Sequence, residues 1–184
     1  MEVGGLVLAA GAGRRYGRPK ALVSWHGRLL VERAAAVLAE GGCAEVVVVL
    51  GAAADRVRAV ASGLPRTVVN ARWSSGLASS LKAGLAAFDE VAAVVVLPVD
   101  MPGVTWTAVR RVVAPPDPTA LTIGGYGPRR GHPVLLGREH WAAVAASATG
   151  DRGARDYLRA HAAEVRVVAV GDVADDADLD VCRA

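Results

Sequence analysis

Arg14, Arg15, Arg18 and Lys20 crowd into one short stretch punctuated by Gly11, Gly13 and Gly17. Glycine tolerates positive φ and carries no Cβ, so backbone N–H groups in such a turn can approach an anion closely. The cations add the charge a polyphosphate needs. The stretch follows an apolar run, Val3 to Ala9, of the length of a buried strand. A strand feeding a glycine-rich cationic turn points to a nucleoside triphosphate. A dinucleotide-binding turn shares Gly11-x-Gly13, but Gly17 falls one position too late, and the run ending Val49-Leu50-Gly51 brings no acid for a ribose. A P-loop would need Gly-Lys-Ser/Thr, whereas Lys20 follows Pro19.

Further groups suit the same chemistry. Asp100 ends the run Val94-Val-Val-Leu-Pro-Val-Asp, and Pro98, unable to donate to a ladder, marks where pairing ends. A carboxylate there can hold a hard ion such as Mg²⁺ against phosphate oxygens, or simply cap the next helix. Asn70 opens a polar loop through Gly76 to Ser79 and Ser80, whose hydroxyls suit a base edge or a helix start. Gly124-Gly-Tyr-Gly-Pro-Arg-Arg-Gly-His-Pro133 carries a candidate acid/base, His132, beside Arg129 and Arg130, which suit a second anion. Asp151 and Arg155 open a later helix, and the tail holds aspartates at 172, 175, 176, 178 and 180, any one of which could complete a metal site.

These groups need elements to position them. The runs 3–9, 45–50, 66–69, 92–99, 120–123 and 165–170 read as strands, and their near-continuous Val content suits strands covered on both faces. Helices are expected over 29–39, 53–62, 76–88, 105–113, 138–146 and 153–161, with Thr105 as an N-cap and Gly41-Gly42 as a stop. Such alternation predicts an α/β fold, three layers around a doubly wound, mostly parallel sheet of Rossmann-like kind. In such sheets ligands sit beyond the carboxyl ends of the strands near the switch in strand order, where the glycine turn, Asn70 and Asp100 would meet.

The 184 residues fit one domain, residues 1–184. Hydrophobic residues make up 53% but aromatics only 4%, so the core is built from small side chains. The net charge of +3 suits a polyanionic small molecule, and no basic strip interleaved with aromatics suggests nucleic acid. Cys43 and Cys182 lack metal-ligand spacing and read as free thiols. No apolar run reaches the roughly 18 residues of a membrane span, and the opening residues lack a secretory pattern. A soluble, cytoplasmic protein without a membrane partner is expected.

In this order the pieces resemble the MobA-like nucleotidyltransferases, and within them the molybdenum cofactor cytidylyltransferases. The family's opening motif is matched at Leu8, Ala9, Ala10, Gly11, Arg15, Gly17 and Lys20. Asn70, Gly76, Ser80, Asp100-Met101-Pro102, Gly131-His132-Pro133 and Gly150-Asp151-x-Gly153-Ala154-Arg155 follow. The resemblance implies a nucleotidyltransferase that moves CMP from CTP to a molybdopterin-type acceptor, releasing pyrophosphate, with Mg²⁺ as cofactor and a recipient molybdoenzyme downstream. It implies catalytic roles for Arg15, Lys20 and Asp100. The nucleotide would be bound by residues 8–11, Gly13, Arg14, Lys20, Asn70, Gly76, Ser80 and Asp100, and the acceptor by Arg130, Gly131, His132, Asp151 and Arg155. Leu-Ala-Ala-Gly in place of Leu-Ala-Gly-Gly goes with CTP, because a Cβ on Ala10 narrows the base pocket against a purine. Gly13 and Tyr16 depart from the family's Ser and Met. Ala174 falls where a second metal-binding acid is expected, leaving Asp172 or Asp175 to replace it, or Asp100 and the phosphates alone. Rival readings are a GTP-using or sugar-phosphate transferase of the same fold, a non-catalytic cofactor carrier, and, more distantly, a nicotinamide-binding module.

Overall fold

The computed structural model describes residues 1–179. A seven-stranded sheet has the order β5-β4-β1-β6-β8-β7-β9, comprising β1 (Val3–Ala9), β4 (Glu45–Leu50), β5 (Arg66–Val69), β6 (Ala93–Pro98), β7 (Leu121–Tyr126), β8 (Arg129–Gly137) and β9 (Val165–Ala169). β2 (Ser24–Trp25) and β3 (Arg28–Leu29) form a separate small hairpin. β1 pairs in parallel with β4 on one side and β6 on the other, so chain order switches between β1 and β6.

The continuous valines explain the layers. Successive side chains alternate between faces, so a run buried throughout requires cover on both sides. On one face Val7, Val48, Leu50, Val95 and Leu97 pack with α1 (Leu30–Glu40), α2 (Ala54–Val60) and α4 (Trp106–Val113). On the other, Leu6, Leu8, Val47, Val49, Val94 and Val96 pack with α3 (Leu77–Leu85), α5 (Trp141–Ser147) and α6 (Arg155–Ala160). The expected three-layer, mostly parallel α/β architecture is therefore the observed one. Thr105 caps α4 as expected, its Oγ1 accepting the Ala108 N–H at 3.3 Å.

The larger departure lies at 120–137. β7 runs on to Tyr126, and β8, not expected as a strand, returns antiparallel between β6 and β7. Only Val134-Leu135-Leu136 of β8 carries an apolar signal; its first half is charged and ends in a proline. The register explains how a proline is accommodated. Ile123 pairs with Val134 but Gly124 pairs with Gly131, so His132 and Pro133 bulge out of the ladder. A bulge needs no donor there and re-aims the side chains it carries. No helix among the described residues is long and apolar enough to cross a membrane.

Candidate active site

The turn after β1 is shaped by its own backbone. Gly13 has φ +61°, and its carbonyl accepts the N–H groups of Tyr16 at 3.0 Å and Gly17 at 2.9 Å. A Cβ on Gly13 would collide with the Arg18 carbonyl, so a side chain is doubly excluded. The curled turn delivers Lys20, at the start of a short 3₁₀ turn, to the switch point. There its Nζ meets Asp100 Oδ2 at 2.7 Å, with side chains 16% and 22% exposed. The end of β1 and the end of β6 are thus joined by a half-buried ion pair.

Around that pair opens a cleft of about 610 Å³. Of the residues singled out from the sequence, Leu8, Ala10, Gly11, Gly13, Arg14, Arg15, Lys20, Gly76, Ser80, Asp100, Asp151 and Arg155 line it. Ala10 is 5% exposed, and its carbonyl accepts the Ala52 N–H at 2.9 Å, fixing the wall. Ala9 and Asn70 do not line the cleft. Ala9 is buried in the core, and the Asn70 amide is engaged internally. Asn70 Nδ2 donates to Ser79 Oγ at 2.8 Å and Ser80 Oγ at 3.1 Å, while its Oδ1 accepts the Arg72 N–H at 3.0 Å. Asn70 thereby orients Ser80. Trp73, which the sequence reading passed over, also lines the cleft and packs on Gly51, whose missing Cβ would lie 2.5 Å from the Trp73 Cβ. One aromatic among small residues at the end of a strand was the available signal.

A second cleft of about 490 Å³ adjoins the first, and Leu8, Leu77, Asp151 and Arg155 line both. Arg130, Gly131 and His132 face this second space, below which lie Leu81, Ile123 and Val134. Asp151 also has a structural task. Its Oδ1 accepts the Leu77 N–H at 3.3 Å, at the start of α3. Burial holds the His132 imidazole down to about 4, with the Arg155 charge in the same direction and Asp100 and Asp176 opposing. His132 is therefore neutral at neutral pH and supplies hydrogen bonding, not fixed charge.

The tail crosses the carboxyl ends of the strands, and its path decides which aspartates reach the site. Asp172 does not. Its two oxygens sit 2.6 and 2.9 Å from the guanidinium nitrogens of Arg111 on α4, and it lines neither cleft. That hydrogen bonding holds its carboxyl below the usual range. The chain then bonds from Asp175 N to the Gly103 carbonyl at 3.1 Å and from Leu179 N to the Asp100 carbonyl at 3.0 Å. Between these ties Asp176 turns into the second cleft and Asp178 into the first, with Asp100. Asp180 lies outside the described residues. Among the described residues no group of three or more His, Cys, Asp or Glu gathers as a ready-made metal site. Asp100 and Asp178 offer only hard oxygen donors, which fits Mg²⁺ or Mn²⁺ if phosphate oxygens complete the shell.

A family model described as the MobA-like NTP transferase domain matches residues 5–165, which include the glycine turn, Lys20 and Asp100. The chain belongs to this family of nucleotidyltransferases. It is similar to a nicotine blue oxidoreductase of Paenarthrobacter nicotinovorans, 43% identical over 187 residues that cover 97% of this chain and 92% of the relative. It is also similar to a molybdenum cofactor guanylyltransferase of Xanthomonas euvesicatoria, 36% identical over 111 residues, or 60% of this chain and 53% of that one. Among solved structures, a nucleotidyl transferase from Methanothermobacter superposes with a TM-score of 0.85 at 22% identity, covering 98% of this chain and 92% of that one, a likeness of fold. Rv0371c from Mycobacterium tuberculosis, also solved as a manganese complex, gives a TM-score of 0.82 at 28% identity over 97% of this chain and 93% of its own.

Proposed function

We propose that this protein transfers CMP from CTP to the phosphate of a molybdopterin-type acceptor and releases pyrophosphate. The observation that carries the reading is the pair of adjoining clefts. One is ringed by the glycine turn, Lys20 and Asp100, the other by Arg130 and His132, and Arg155 and Asp151 stand where they meet. That is the arrangement required to bring a triphosphate and a second anionic ligand into contact. An oxyanion of the acceptor forms a bond to the α-phosphorus of CTP as the bond to the bridging oxygen of pyrophosphate breaks. The nucleophile is already ionised, so no protein base is needed, in accord with a neutral His132. Catalysis is by alignment and charge neutralisation. Lys20, pre-positioned by Asp100, and Arg15 neutralise the departing pyrophosphate. A divalent cation on Asp100 and Asp178 would polarise the phosphates. Ser80, oriented by Asn70, and Trp73 border the space for nucleoside. Ala10 restricts it to a pyrimidine.

The test is pyrophosphate release with each nucleoside triphosphate in the presence of acceptor. CTP should be the preferred donor; release from none of the four would overturn the transferase reading.

The 43% identity across nearly the whole chain to a nicotine blue oxidoreductase favours a second reading, an oxidoreductase that uses the same clefts. Against it, β4 ends at Leu50-Gly51 beside the glycine turn without the acid that holds a nicotinamide dinucleotide's ribose. Loss of reduced-nicotinamide absorbance with a nicotine-blue-type dye, without pyrophosphate release, would establish it.

A further inference from the structure

Two glycines near the site have no conformational need to be glycine. Gly103, in the connection from Asp100 to α4, and Gly131, beside the bulge of β8, both lack the positive φ that favours the residue. What excludes a side chain at each is the tail. A Cβ on Gly103 would lie 2.9 Å from the Asp175 Cβ and closer still to the Asp175 carbonyl oxygen. A Cβ on Gly131 would lie 2.8 Å from the Asp176 Cγ and closer still to Oδ2. Two consecutive tail residues thus occupy the room of two missing side chains, one from each of two separate segments. From there the tail runs beside residues 100–103, with the Asp175 N–H donating to the Gly103 carbonyl at 3.1 Å and the Leu179 N–H to the Asp100 carbonyl at 3.0 Å. That alignment places Asp178 in the first cleft with Asp100. No apolar residue from 173 to 179 is fully buried, so burial holds the tail weakly and close fit matters more.

Resting on the reading of Asp100 and Asp178 as oxygen ligands of the cation, we infer that Gly103 and Gly131 are positioning residues that seat the tail and so bring Asp178 to the cleft of Asp100. Alanine at either position pushes against the tail and not against the sheet. The tail can lift while the core stays packed, so the effect is lost cation affinity in a folded protein. The two seats differ. At Gly103 the closest obstacle is a backbone carbonyl, which no side-chain substitution removes. At Gly131 it is the Asp176 carboxylate, with Tyr126 Cε2 next at 3.2 Å, so shortening Asp176 to alanine restores the room. The ion-pair partner of Asp176, Arg129 at 3.1 Å, is 66% exposed, so losing that pair by itself has little effect.

The test is a titration of the full chain with Mn²⁺ alone, followed by loss of the free-ion electron paramagnetic resonance signal, with hydrogen exchange over residues 172–179 measured in parallel. Gly103→Ala and Gly131→Ala should each weaken Mn²⁺ binding by about tenfold or more, the usual cost of disturbing a ligand's support, and speed exchange in the tail. Gly103→Ala added to Asp178→Asn should weaken binding no further than Asp178→Asn alone, since the ligand it positions is already gone. Asp176→Ala should restore most of the affinity lost in Gly131→Ala and none of that lost in Gly103→Ala. Faster tail exchange with unaltered Mn²⁺ affinity, additive effects in the double variant, or no rescue of Gly131→Ala by Asp176→Ala would each overturn the inference. If Gly103→Ala does not fold, the rescue experiment at Gly131 decides alone. Weakening in Asp178→Asn without weakening in either alanine variant sinks this inference only. No weakening in Asp178→Asn sinks the cation reading, and the inference with it.

Discussion

Replacing Lys20 by alanine removes the cation that bridges the glycine turn and Asp100. Two effects follow, of different size. The ion pair is 2.7 Å long and mostly screened from water, so its loss leaves Asp100 less well solvated than in the unfolded chain. The pair is still 16% and 22% exposed, which limits the stability cost to about 1–2 kcal/mol, between the values for surface and buried pairs. The catalytic effect is larger. Lys20 is held where charge would develop on the leaving pyrophosphate, and loss of one such preorganised donor typically costs about 10²–10³-fold in turnover. Lys20 does not line the second cleft, so the affinity of the proposed acceptor should change by no more than about twofold. The assay is single-turnover CMP transfer with saturating CTP, alongside an acceptor-binding titration and a denaturant melt. Lys20→Arg keeps the charge but not the compact ammonium, and should recover part of the rate. An unchanged single-turnover rate in Lys20→Ala, with the fold intact, would refute the phosphate role.

Ala10→Gly removes a Cβ from the wall of the first cleft and should admit GTP, narrowing the expected CTP preference by about tenfold; competition between the two nucleotides in a pyrophosphate assay reads this directly. Asp178→Asn should raise the Mg²⁺ concentration for half-maximal rate by about tenfold or more, as expected for loss of one of two protein oxygen ligands, whereas Asp172→Asn should leave it unchanged. His132 is held below its ordinary value, to about 4, so the unfolded chain binds the extra proton first as pH falls. Its stabilising contribution is full above about pH 6.5 and is lost as pH falls from there towards 4. His132→Gln should therefore flatten the decline in stability across that window by about 2–3 kcal/mol, measured as denaturant midpoints at matched pH.

The parallel strands were legible because burial on both faces leaves a continuous apolar signature. β1, β4 and β5 have the bounds expected of them, 3–9, 45–50 and 66–69, although β5 opens on Arg66 and Thr67 and is only partly buried. The expected meeting of the glycine turn with Asp100 followed from the topology of such sheets, and the structure brings the two together at the β1–β6 switch point. β8 was hidden because its first half is polar, opening on two exposed arginines, and its bulge absorbs a proline, so neither alternation nor an apolar run marks it. The β2–β3 hairpin has only two residues in each strand, too few for any periodicity. The tail failed for a different reason. Its aspartates at 172, 175, 176 and 178 are alike in local sequence, and only the long-range ties to Gly103 and Asp100 decide which turn inward. Asn70 was expected to face the ligand because polar residues at strand ends often do; its amide instead holds Ser79 and Ser80.

The most direct test is a crystal structure of the protein grown with CTP and Mg²⁺. The account predicts the triphosphate tail cradled by the backbone of residues 11–15, with Arg15 and Lys20 on its β- and γ-phosphates and the cation between Asp100 and phosphate oxygens. Phosphates bound away from the glycine turn, with Lys20 making no contact to them, would contradict it.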